Sequence, residues 1–372
     1  MAVQVTEQAY AVAFLDWLAC AARGARERAA RAARAAGEPV VALAAAGHVL
    51  DFDDTYLPGI AHLSAPTAPA ALVVGAELGA TVDDVLRAYA AGFEAMGALA
   101  RASHPALYEG GWHPTAVCGT VGAAVAAAEL LGAPRDAAVA LAALRATGTR
   151  AGFGSDGKAL GVGLAAAEGV LAARLATGGA RVPAAALRGF ERATGGRWAE
   201  PDGEPAVAEN WIKPWPCCLM AHSAIECALT AGPADEPLVI RVHPRARQAA
   251  PHDDVTDGLQ AKFSIPYLTA FTLLHGAPEV ESFAAVDDAA REHAATRLTL
   301  VEDDALGESE ARLERPDGEP LATVAYALGS PRRPMDAASL RAKVASLGGP
   351  RELPARSTQV DKHTFSQLEL TA

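Results

Sequence analysis

Apolar positions recur at helical spacing along most of the first two thirds of the chain, broken by short polar or glycine-proline stretches. From Gln8 to Ala36 the pattern is helical throughout, and an alanine-rich apolar segment follows from Val40 to Leu50. Ala71 to Ala102 reads as two helices, with Thr81-Val82-Asp83-Asp84 as a cap and first turn. Pro114 to Leu131 and Arg135 to Thr147 give two more, joined by Gly132-Ala133-Pro134, and Leu160 to Ala176 continues the series. Small side chains allow such helices to approach closely, so residues 1–212 are expected to form one all-helical domain.

The pattern changes after Trp211. Proline-rich Lys213 to Pro216 leads into a helix from His222 to Ala231, and Pro237 to His243 alternates apolar and polar residues as a strand does. Tyr267 to Leu274 reads as a helix, and Ala295 to Val301 and Pro320 to Ala327 as strands. Pro316-Asp317-Gly318 marks a hairpin turn within Ala311 to Leu328. Residues 213–334 are therefore expected to form a smaller α+β lid domain. Pro334 to Leu340 opens a further helix, and the polar tail after Pro350 is expected to be partly disordered. The fold class is mainly α with a smaller α+β domain.

Composition agrees: 51% of the 372 residues are hydrophobic and only 5% aromatic, which favours packed helices with small side chains over a β-sandwich. A net charge of −12 argues against a nucleic-acid partner. The one basic run, Arg23 to Arg34, is interleaved with Ala and Glu and reads as a solvated helix face. With neither a signal-peptide pattern nor an uncharged apolar run of about 20 residues, a cytoplasmic protein without a membrane partner is expected. The five cysteines lack paired CxxC spacing, so reduced thiols are expected, not disulfides or a zinc site.

Chemistry-bearing residues concentrate in Asp51-Phe52-Asp53-Asp54-Thr55-Tyr56-Leu57-Pro58-Gly59-Ile60-Ala61-His62. If the preceding helix runs on, Asp51 and Thr55 share a face and Pro58-Gly59 turns His62 back. The three acids read either as a helix-end cap, as a magnesium-type carboxylate cluster, or as a functional site. His113, before Pro114 at a loop-to-helix junction, can point its ring into a cleft and titrates in the range that suits proton transfer. Small neighbours leave Lys158 open to a bound anion. The nearby Gly152-x-Gly154-x-x-Gly157 lacks the strand and the βαβ unit of a dinucleotide site. Lys213, Cys217, Cys218 and His222 fall at the domain junction, where clefts form; vicinal cysteines are more often small buried residues than nucleophiles. Tyr267 reads as a phenol donor or as a core aromatic.

In this order, Asp51 to His62, Gly111-Trp112-His113-Pro114-Thr115, Gly157-Lys158, Lys213-Pro214-Trp215-Pro216-Cys217-Cys218 with His222, and Lys262-Phe263-Ser264-Ile265-Pro266-Tyr267 resemble successive motifs of the MmgE/PrpD family. The resemblance runs from about Phe14 to Leu347. It implies a homodimer, with residues 335–372 returning to the helical domain, and an N-terminus shorter than is usual in the family. The chemistry it implies is proton abstraction beside a carboxylate, or loss of a group beside one, with no cofactor and no metal. The substrate would be a small di- or tricarboxylate. Asp51, His62, His113 and Tyr267 would be catalytic, and Thr55, Lys158, Lys213 and His222 would bind substrate. Dehydration leads, as in 2-methylcitrate dehydratase. Epimerisation, as in iminodisuccinate epimerase, and decarboxylation, as in cis-aconitate decarboxylase, are alternatives. A non-catalytic carboxylate-binding member is the remaining one. Relatives carry a histidine three residues after Lys158, where Gly161 stands here, and the dehydratase branch places an arginine after the cysteine pair, where Leu219 and Met220 stand. Fewer cations favour fewer substrate carboxylates.

Overall fold

Glycine and alanine on the buried faces of the helices set how this molecule is assembled. The computed structural model describes residues 2–183, 185–361 and 364. Its first helices are α1 (Ala2–Gly24), α2 (Arg28–Ala35), α3 (Pro39–His48), α4 (Ser64–Leu78) and α5 (Val82–Ser103). The short α6 (Ala106–Glu109) leads to α7 (Pro114–Leu131), α8 (Arg135–Arg145), α9 (Asp156–Thr177) and α10 (Ala185–Thr194). Helix α7 lies at the centre, with α4, α5, α8 and α9 against it. Close approach is built in. A Cβ on Gly92 of α5 would meet the Gly122 carbonyl oxygen of α7 at 2.5 Å, and one on Gly169 of α9 would meet the Thr120 carbonyl oxygen at 2.4 Å. Helices α7 and α9 are long and apolar enough to cross a bilayer, yet both are packed within this bundle.

Two breaks depart from the sequence pattern. The first helical stretch stops at Gly24 and resumes at Arg28, and in the second segment Arg28 and Arg31 are exposed while Ala29, Ala30 and Ala33 are buried. The helix expected from Ala71 starts earlier, at Ser64, with Pro66 in its first turn, where a missing N–H costs nothing. Thr81 and Asp84 form the reciprocal cap of α5.

The remainder holds α11 (His222–Ala231), α12 (Pro244–Ala249), α13 (Gly258–Ala261), α14 (Ile265–His275), α15 (Asp288–Arg297) and α16 (Ala337–Ser346). Strands β1 (Thr55–Tyr56) and β2 (Asn210–Trp211) pair antiparallel and tie the motif loop to the chain just before Lys213. The main sheet has the order β4-β3-β5-β6, from β3 (Leu238–Val242), β4 (Leu298–Glu302), β5 (Ala311–Glu314) and β6 (Pro320–Val324). β3 and β4 run parallel across a long helical crossover, whereas β5 and β6 form the hairpin expected from Pro316-Asp317-Gly318. Ala295 to Arg297 were expected to begin a strand but complete α15, because Asp287 caps that helix on the Ala290 N–H and good helix formers carry it to Arg297. Helix α11 packs on β5 and β6.

Buried side chains form one large cluster between Phe14 and Val207, with Val360 added, and a second made mostly of residues between Trp211 and Ala327. Val344 and Leu347, in and just after α16, pack with Ala19 and Cys20 of α1. In the tail, the Val82 N–H donates to the Thr358 carbonyl oxygen and the Val360 N–H to that of Ala80, so residues to 361 are held against α5; residues 362, 363 and 365–372 lie outside the described residues.

The glycine contacts set an expectation. Gly92→Ala destabilises the protein, because overpacking costs about 1–3 kcal/mol and outweighs the gain in helix propensity. Gly161→Ala on α9, where an added Cβ meets nothing within 4 Å, stabilises it by up to about 1 kcal/mol. Urea unfolding of both variants checks the pair.

Candidate active site

The loop between α3 and β1 is where most of the expected residues meet. The helix does not continue through it: Asp51 adopts a left-handed conformation, φ 53°, and Thr55 is already in a strand. Such a conformation is costly for a residue with a Cβ and persists only where its surroundings impose it. Here three buried lysines impose it. Lys262 Nζ donates to the Leu50 carbonyl oxygen at 2.6 Å, Lys213 Nζ to that of Asp51 at 2.8 Å, and Lys343 Nζ to that of Phe52 at 2.8 Å. Three successive carbonyls are thus captured by side chains from three distant segments. Charge is balanced locally: Lys343 pairs with buried Asp16 at 2.6 Å, and Lys213 lies 3.4 Å from Asp51 Oδ2.

Above this loop the side chains form a chain of contacts. Lys158 Nζ donates to Asp51 Oδ1 at 2.8 Å and to His48 Nε2 at 2.7 Å. An ammonium only donates, so His48 Nε2 is the bare nitrogen and its Nδ1–H points to Asp53 Oδ2, 2.8 Å away. His62 lies between two carboxylates, with Nδ1 3.2 Å from Asp53 Oδ2 and Nε2 3.6 Å from Asp51 Oδ1, and its Nδ1 is 3.5 Å from Thr55 Oγ1. Burial disfavours charge on Asp51, but Lys158 and then Lys213 prevail and hold its carboxyl well below the usual carboxylate range. Burial likewise opposes Asp53, which His48 and His62 hold low, while burial and Asp53 push Asp54 up to about 7.

His113 differs from the other rings. It is buried at the start of α7, stacks 6.0 Å from His48 and meets Phe153 edge-on at 4.9 Å, and among the described residues no group bonds its ring nitrogens. Burial, then Lys158, hold its pKa well below the ordinary value, which leaves a neutral imidazole with a free lone pair.

One pocket is lined by Asp51, Thr55, His62, His113 and Lys158, and its walls include Tyr108, Phe153, Cys218, Met220 and Phe263. The other expected residues are not in its lining. Lys213 sits beneath Asp51, spent on two carbonyls. His222 is fully buried with Nε2 3.3 Å from the Cys217 carbonyl oxygen. Tyr267 is a core aromatic, its Oη accepting the Asp287 N–H at 2.9 Å, so the phenol turns away from the pocket. Burial pushes the Cys218 thiol up to about 11 and raises that of Cys217 well above the ordinary thiol value, which suits buried thiols better than nucleophiles. All five cysteines are free.

His48 was missed, hidden at the end of an alanine-rich helix; the signal was a polar residue in an otherwise apolar segment three residues before Asp51. Tyr108 and Arg150 gave no sequence signal. His48, Asp51, Asp53 and His62 bring donor atoms within 4.8 Å of one another, a set that could hold a metal ion, and Lys158 Nζ already donates to two of them. The glycine-rich stretch before Lys158 forms a short 3-10 turn and the Ser155 cap of α9, with no strand before it.

Comparison with known proteins gives two matches. Residues 38–196 match the MmgE/PrpD N-terminal domain and residues 215–368 the MmgE/PrpD C-terminal domain, which together cover most of the chain. No curated protein matches.

The buried imidazoles carry a pH signature. Burial holds His62 and His222 at about 3 and lowers His48 and His113, against 6.5 for an ordinary histidine. Between those values the unfolded chain binds more protons, so stability falls as pH drops below about 6.5. Urea midpoints at pH 7 and pH 5 measure the fall, and His222→Phe reduces it.

Proposed function

The chain belongs to the MmgE/PrpD family, whose members are generally enzymes, hydro-lyases among them, and from that premise we propose that it removes a proton beside a carboxylate of a small dicarboxylate and expels a β-hydroxyl as water. The observation that carries this reading is the neutral, unbonded imidazole of His113 in a pocket whose other imidazole and whose ammonium, His62 and Lys158, are held by carboxylates. A lone base with a free lone pair takes the proton from carbon, and the imidazolium it becomes returns that proton to the departing hydroxyl. Lys158, oriented by Asp51 and His48, stabilises the enolate charge that develops. Asp51 Oδ1 already accepts from Lys158 Nζ, so its part is to position Lys158. Thr55 and His62 line the same pocket and contact substrate, whereas Lys213 and His222 act through the loop they support.

Epimerisation and decarboxylation are the rival outcomes of the same enolate. Epimerisation needs a proton donor on each face of the carbon, and His62, the other imidazole lining the pocket, is held between Asp51 and Asp53. A carboxylate-binding protein without turnover is the reading from another class.

The homodimer has a candidate surface on α9. Its outward face carries Leu164, Leu171 and Leu175, exposed by 59%, 48% and 46%, with Leu144 of α8 and Leu78 of α4 also exposed on the helices beside it. A helix apolar on its outer face as well as its inner one calls for a covering partner. The charges on this face are neutralised, Glu168 by Arg145 and Arg174 by Glu77, so two copies of an acidic chain can meet here.

Proton NMR in D₂O with hydroxy-, amino- and unsaturated dicarboxylates tests the chemistry. Deuterium enters beside a carboxylate and an unsaturated product appears, and His113→Ala slows both by about 10²–10⁴-fold. Inversion without water loss would replace dehydration by epimerisation; binding without exchange would leave only the binding reading. Light scattering tests the surface: two chains in the parent protein and one in Leu171→Glu, with Leu229→Glu as the exposed control. A monomeric parent protein rules the surface out.

A further inference from the structure

Tyr108 in α6 lines the pocket with Asp51, His113 and Lys158 and is 2% exposed, and with the Arg150 guanidinium beside it its Oη still makes no well-formed hydrogen bond within the protein. A buried hydroxyl loses its hydration and normally recovers it from a protein group, so one left open toward a pocket is set for a ligand. Arg150 packs on its ring, next to the residues that line the pocket and not among them. The guanidinium carbon lies 4.1 Å from the centre of the Tyr108 ring, Nη1 donates to the Gln248 carbonyl oxygen at 3.2 Å, and Nε is without a partner. A cation over the ring face draws electron density from the phenol and makes its O–H a stronger donor. Burial, then Cys218, raise the phenol's pKa while Arg150 opposes them, so it remains an O–H at neutral pH.

Both open groups are donors, and one is cationic, so the missing partner is an anionic acceptor. The count of cations gives the rest. Lys213, Lys262 and Lys343 are spent on the carbonyls of the loop, and Lys158 is the ammonium facing the pocket. One lysine together with the Tyr108–Arg150 pair matches two carboxylates.

We propose that Tyr108 Oη and Arg150 form a second anion subsite, which takes the carboxylate remote from the reacting carbon while Lys158 faces the one beside it. The subsite rests on the reading of the pocket as a carboxylate site and makes its ligand a dicarboxylate. Tyr108 and Arg150 are specificity residues that leave the chemical step to His113.

Calorimetric titration with succinate and with butyrate tests this without requiring turnover. The parent protein binds succinate at least about tenfold more tightly than butyrate, the scale of one charge-assisted contact pair. Arg150→Gln removes that preference and Tyr108→Phe reduces it. Tyr108→Phe also changes the thermal midpoint little, because the hydroxyl it deletes makes no well-formed hydrogen bond within the protein. With a substrate found by deuterium exchange, both variants raise KM and retain kcat. Equal affinity for succinate and butyrate, binding of neither, preference retained in both variants, or a kcat loss at unchanged KM would each overturn the subsite. A parent protein that prefers succinate but exchanges no deuterium refutes the dehydratase reading while the subsite stands.

Discussion

Everything in the candidate site depends on how three backbone carbonyls are held. Leu50, Asp51 and Phe52 would each present a carbonyl oxygen to a dry interior, and a buried carbonyl without a donor is costly. Lys262, Lys213 and Lys343 supply one ammonium each. The arrangement fixes the left-handed turn at Asp51, and that turn aims its carboxylate at Lys158. It also makes the site a product of the whole chain, since those lysines come from the junction before α11, from the residue after α13 and from α16. Buried charges of this kind contribute little net stability, but losing one partner strands the other. Their value lies in geometry.

A run of linked polar side chains does the second part of the work. Asp53, His48, Lys158 and Asp51 are linked end to end, with His62 bridging the two carboxylates. Each partner fixes the next one's protonation state, and the tautomer of His48 follows from the ammonium beside it. His113 stands outside this chain of bonds. A site in which all but one basic group is paired directs proton transfer to that one group.

The helical scaffold owes its closeness to missing side chains. Gly92 and Gly122 at the α5–α7 crossing, and Gly169 against the Thr120 carbonyl of α7, let backbones approach to distances that a Cβ would forbid. Helix α7 begins at Pro114, so tight seating of this helix also fixes where His113 projects. The alanine-rich composition is therefore part of the site's precision. The exposed leucines of α9, Leu164, Leu171 and Leu175, are not part of the pocket lining.

Much of the fold was legible in the sequence because helical periodicity and caps are local. The spans of α7 and α11, the Thr81 cap of α5 and the hairpin of β5 and β6 follow from residues a few positions apart. So did the grouping of Asp51, Thr55, His62, His113 and Lys158, since motif order along the chain reflects a shared family architecture. What the sequence could not give was direction. Tyr267 sits in a motif with the others, but the turn of α14 points its phenol to the Asp287 N–H. Lys213 looked like a substrate ligand and is a brace for the loop, while His48 and Tyr108 carried no motif and lie against the pocket residues. Local pattern determines which segments become helices and strands. Which side of a residue meets which distant atom is decided only when separate segments close around the same buried carbonyls and carboxylates, and there tertiary packing alone assigns the partners.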